Sequence, residues 1–128
     1  MGRYAIRRDP IIRVPLLIIA ATQERSYVEV DDREVHVVFG LANERIPVAA
    51  IRSVAPGEWP WYLGGGVRIG GGGIAYVGST RGIVRLELAE KLPFRVFFKL
   101  TARFGVCTLS LEEPEAFIDD VRAKLARA

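Results

Sequence analysis

The 128-residue chain is half apolar, sets 18 Lys and Arg against 15 Asp and Glu for a formal net charge of +3, and has one cysteine and one histidine. That is the length of one ordinary domain, with enough apolar residues to bury a core without staples. A lone cysteine excludes an internal disulfide and a multi-cysteine metal site, and the longest apolar run, Val14 to Ala21, falls well short of the roughly 18 to 20 residues that cross a bilayer.

The excess charge lies in one place. Arg3, Arg7, Arg8 and Arg13 stand against Asp9 in residues 1–13, so this basic N-terminal arm holds the whole surplus, and residues 14–128, read as the single domain, are balanced. Affinity for a phosphate backbone needs several cations converging on one surface, so no specific nucleic-acid partner is expected. The arm precedes an apolar stretch as a secretory signal would. However, Asp9 and Pro10 interrupt it, and Gln23-Glu24-Arg25 offers no small-residue cleavage site, so the chain reads as cytoplasmic.

In chain order, Val14 to Ala21 reads as a short buried strand, although periodicity alone does not separate it from a helical turn. Tyr27 to Val30 and Glu34 to Phe39 alternate around a turn at Asp31-Asp32, which predicts a hairpin with Val28, Val30, Val35, Val37 and Phe39 on one face. Arg45 to Val48 reads as an edge strand because Pro47 cannot donate to a ladder. A loop is expected from Ala55 to Gly73, where seven glycines crowd positions 64–73. Ile74 to Val77, Ile83 to Leu88, Phe94 to Leu100 and Gly105 to Leu111 read as further strands, the last two joined at Thr101 to Phe104. That makes about seven antiparallel strands.

From Pro114 the period changes. Phe117, Ile118, Val121 and Leu125 form the apolar stripe of one C-terminal helix, whose acidic start and basic end both suit the helix dipole. The expected class is mainly β with one C-terminal α-helix.

Such a layout resembles a pleckstrin-homology roll, and particular residues carry the resemblance to the bacterial pleckstrin-homology-like families. They are Ile46-Pro47-Val48-Ala49-Ala50-Ile51 ahead of Val54, Gly64-Gly65-Gly66-Val67-Arg68-Ile69, the strand Ile74 to Val77, Gly82-Ile83-Val84-Arg85-Leu86, and Glu113-Pro114-Glu115-Ala116-Phe117-Ile118. The match spans roughly residues 25 to 126, although the stretch from Ala89 to Phe104 is longer than the tight hairpin these families often use there. The resemblance implies a fold and a bacterial, cytoplasmic or membrane-associated setting. It implies no reaction.

Catalytic chemistry finds few residues to run on. His36 falls on the polar face of a strand without nearby partners, and Cys107 sits in an alternating apolar strand as a buried thiol. Glu112, Glu113, Glu115, Asp119 and Asp120 are explained by a helix start and a solvated face. The glycine run matches neither dinucleotide nor triphosphate loop spacing. We therefore expect no enzyme, no cofactor, no metal and no small-molecule substrate.

Two sets remain for binding. Trp59, Trp61, Tyr62 and Leu63 sit on the loop, where large aromatics either fold back as a lid or meet a partner. Arg68, Lys91, Arg95, Lys99 and Arg103 could contact an anion. For Arg68, a guanidinium that satisfies loop carbonyls is the plainer account; for the other four, it is a charged strand face. The leading expectation is a protein-interaction or self-assembly module, with a protein partner or a second copy. The alternative is a peripheral membrane module held on anionic lipid by the N-terminal arginines and the 91–103 basic set.

Overall fold

A computed structural model of the chain describes residues 2–8, 26–40, 42–59, 66–70, 73–96 and 100–127. The strand expected at Val14 to Ala21 lies outside them. Among the described residues the elements are β1 (Gly2–Ala5), β2 (Ser26–Val30), β3 (Glu34–Phe39), β4 (Ala42–Pro47), a 3₁₀ turn (Val48–Ala50) and β5 (Ile51–Pro56). Next come β6 (Gly66–Gly70), β7 (Gly73–Val77), β8 (Ile83–Val96), β9 (Leu100–Ser110) and the helix α1 (Pro114–Arg127). The protein is mainly β with one C-terminal helix, consistent with a sandwich or a pleckstrin-homology-like roll.

The strands form two sheets, β1-β2-β3-β4 and β5-β8-β9-β7-β6. Asp31 turns β2 into β3: its Oδ1 accepts the backbone N–H of Glu34 and of Arg33, each at 2.8 Å. Those bonds, the Glu34 bond foremost, hold its carboxyl below the usual carboxylate range. Alternation then decides what each strand buries. Val28, Val30, Val35, Val37 and Phe39 are fully buried, as their spacing predicts, and Ile46 joins them from β4. They meet Ile74, Tyr76, Val84, Leu86, Cys107 and Leu109 of the second sheet in one core, where each large apolar side chain contributes about 1.5 to 3 kcal/mol relative to exposure.

Pro47 ends β4, and the 3₁₀ turn carries the chain from the first sheet to the second. The helix packs against β5, the 3₁₀ turn, β1 and β8, and so spans both sheets. It buries Phe117, Ile118 and Val121, with Leu125 packed against the same core.

Five details differ from the sequence expectation. There are nine described strands, not about seven. Gly66–Gly70 is a strand inside the expected loop, because an edge strand needs only its backbone to pair with β7. The stretches from Ile83 and from Phe94 are one long β8, irregular between Glu87 and Leu92. As part of that same third difference, Thr101 to Phe104 belongs to the ladder and is no turn, since these residues pair with Arg95 to Leu92.

The fourth difference is that β7 runs parallel to β9, with Ile74 opposite Cys107 and Tyr76 opposite Leu109. Every residue of β7 is buried, and such two-sided burial is what parallel pairing usually accompanies. Finally, residues 2–8 are not an arm outside the domain. Gly2–Ala5 pairs with β2, Ile6 is in the core, and Arg7 N–H donates to Ser110 O at 2.8 Å. The chain here crosses from one sheet to the other, passing so close to Gly78 that a side chain there would strike the Arg7 carbonyl.

Candidate functional site

The outer face of the second sheet holds four of the residues that the sequence singles out for binding, Trp59, Lys91, Arg95 and Arg103. On β7, Ile74 and Tyr76 point into the core, so Ala75 and Val77 point outward. Trp59 lies over them together with Ile83, in a separate apolar cluster, and is only 8% exposed. Trp59 is therefore folded back as a cover on this face, and the small Ala75 leaves room for its indole. Trp61, Tyr62 and Leu63 lie outside the described residues.

Farther along the same face, Arg52 and Arg85 both pair with Glu87, at 3.2 and 3.7 Å. Beyond the irregularity in β8 the register sets Pro93 opposite Arg103 and Arg95 opposite Thr101. This brings Lys91, Arg95 and Arg103 together on one exposed face of the β8–β9 arm. Arg103 Nη2 donates to the Lys91 carbonyl at 2.9 Å. Lys99 lies outside the described residues. Arg68 stands on β6 opposite Ala75, apart from the three cations.

Arg3 and Arg7 do not join this set. Arg3 pairs with Glu29 at 3.5 Å and lies 4.1 Å over the Tyr27 ring. Arg7 donates to the carbonyls of Leu111 and Glu112. Their charge is committed to holding the first strand and its continuation against the fold. Residues 9–13, with Arg13, lie outside the described residues.

Of the residues considered for chemistry, His36 shares a 2.6 Å hydrogen bond between its Nε2 and Asn43 Oδ1 on the exposed side of the β3–β4 pair. Cys107 is fully buried, and burial pushes its thiol up. Asp120 accepts from Tyr4 Oη, while Glu112, Glu113, Glu115 and Asp119 are exposed at the start of α1. Among the described residues no three His, Cys, Asp or Glu side chains are placed to hold a metal ion.

Two features were missed by sequence reasoning. Among the described residues, β6 is the outermost strand of its sheet, and its Ile69, 56% exposed, is the one large apolar side chain that is exposed. Val67-Arg68-Ile69 does alternate, but three residues flanked by glycine are too short for the pattern to register. The second joins the two sheets. Glu44, opposite Val37 on the inner side of β4, accepts the backbone N–H of Arg95 at 2.8 Å. Near it the buried Tyr76 hydroxyl has no hydrogen-bond partner among the described residues.

Comparisons with models of known protein families, with curated proteins and with solved structures found no match. No helix among the described residues is long and apolar enough to cross a membrane.

Proposed function

We propose that this chain is a non-catalytic, pleckstrin-homology-like binding or self-assembly module, working in the cytoplasm, whose contact element is the outer edge of β6. The observation that carries this reading is the exposed Ile69 on an outermost strand. An outermost strand presents unpaired N–H and C=O groups, and proteins that must stay monomeric usually blunt it with proline, a bulge or a cover. β6 has regular register along its whole length with β7, from Gly66 opposite Val77 to Gly70 opposite Gly73. Added strands gain main-chain hydrogen bonds for affinity and side-chain contacts for specificity, and Ile69 supplies such a contact. A second copy is the first partner this edge accommodates, because the same strand is present in both molecules.

Light scattering across a concentration series tests this reading. The wild-type mass should rise with concentration, while Ile69→Lys, a change at an exposed position, should hold the monomer mass with an unaltered melting temperature. A wild-type chain that stays monomeric at all concentrations would remove self-assembly through this edge.

A further inference from the structure

We infer that the outer face of the β8–β9 arm docks on an anionic lipid bilayer. This face is separate from the β6 edge. Past the irregularity in β8, the arm pairs from Leu92 opposite Phe104 to Val96 opposite Leu100. Its inner side is anchored: Phe94 is 2% exposed, and Leu92, Ala102 and Phe104 pack against the core. The rings of Phe94 and Phe104 lie 6.2 Å apart, and Glu44 holds the Arg95 backbone from the first sheet.

With its underside fixed, the arm presents Lys91, Pro93, Arg95, Thr101 and Arg103 outward, all exposed. Lys91 and Arg95 are four residues apart on one strand, a span of about 13 Å at the usual strand rise. None of the three cations makes an ion pair among the described residues, whereas Arg52 and Arg85 on the same sheet are both paired with Glu87. Glu90 is the exposed acid beside Lys91 in sequence. Among the described residues of this face, the arm is therefore where cations stand without ion pairs, while Arg52 and Arg85 are paired.

A strand face that carries three exposed cations on one side fits a surface whose negative charge is spread in a plane. A nucleic acid is the poorer fit, because tight backbone binding engages about 6 to 10 phosphates. Each exposed Lys or Arg near an anionic bilayer strengthens binding about fivefold, and the attraction falls off within a Debye length.

The test is co-sedimentation of the full chain with phosphatidylcholine vesicles, with and without phosphatidylserine, at low and high salt. The wild type should pellet only with phosphatidylserine and should be released by salt. Lys91→Gln with Arg95→Gln, which leaves the Arg103 side chain on its carbonyl, should bind about 25-fold more weakly on the per-cation figure above. Arg33→Gln with Arg81→Gln, equal in charge but elsewhere on the surface, should bind as the wild type does. Ile69→Lys should also bind undiminished, which separates this inference from self-assembly. Equal binding to neutral vesicles, indifference to salt, equal loss in both double variants, or binding to an oligonucleotide with none to vesicles would each overturn it. Circular dichroism melts of the variants keep misfolding from passing for lost affinity.

Discussion

Tyr4 Oη donates to Asp120 Oδ2 at 2.7 Å, and the Tyr4 ring meets Phe117 edge-on at 5.4 Å, so the first strand and the last helix hold each other. Lys124 extends the contact, reaching Asp120 at 3.8 Å and Asp32 of the β2–β3 turn at 3.2 Å. Tyr4→Phe keeps the ring contact and removes only the bond to a charged acceptor, which typically costs about 1.5 kcal/mol or somewhat more. A denaturant midpoint lowered with unchanged slope would show this, and an unchanged midpoint would show that the bond does not contribute.

Stability should fall in alkali. Burial first, and then the hydrogen bond to Asp120, push the Tyr4 hydroxyl up to about 12, and burial also raises Tyr76 and Cys107. For a raised group the folded state keeps a proton that the unfolded state has released. The stabilising contribution is therefore complete below the unfolded values, about 9 for the thiol and about 10 for the phenols, and is lost as pH climbs through the folded ones. Denaturation midpoints measured across this range should hold level on the acid side and decline on the alkaline side. Tyr76→Phe should flatten the decline. It should also leave the neutral-pH midpoint equal or higher, because the buried hydroxyl has no partner among the described residues to lose.

Trp59→Ala should destabilise by about 3 kcal/mol or more, the usual cost of emptying a buried tryptophan site, since the indole covers Ala75, Val77 and Ile83. Its effect should appear in the melting temperature and not in the oligomer mass. Loss of mass with an unchanged melting point would make Trp59 a contact residue instead.

Cys107, buried between core strands with its thiol pushed up, should be inert to a thiol reagent in the folded protein. It should react at the rate of global or local opening. Stoichiometric labelling without denaturant, at a rate matching a free thiol, would contradict its placement.

How far the sequence could be read depended on how local the controlling interaction was. The β2–β3 hairpin was legible because Asp31 and the alternation from Val28 to Phe39 both act over a few residues, and α1 because Pro114 and the Phe117 stripe do the same. The arm was not: Thr101 to Phe104 resembles a turn until the partner residues Leu92 to Arg95 are known. Nor could charge counting show that Arg3 and Arg7 are held by Glu29 and by the Leu111 and Glu112 carbonyls, which are distant in sequence or on another strand. The parallel β7–β9 pair has no local signature at all, since burial on both faces gives no alternation. Of the candidate site, Trp59 was legible as one of two alternatives. Ile69 was hidden inside a glycine run, where composition pointed to a loop.

Amide hydrogen exchange in β6, followed as protein concentration rises, tests the central claim most directly. Partner-facing amides of Gly66–Gly70 should exchange readily in dilute solution and become protected with concentration in the wild type. In Ile69→Lys, protection should not change. If the β6 amides exchange at the same rate in dilute and concentrated wild-type samples, the outer edge of β6 is not where copies of this chain meet, and the account fails at its contact element.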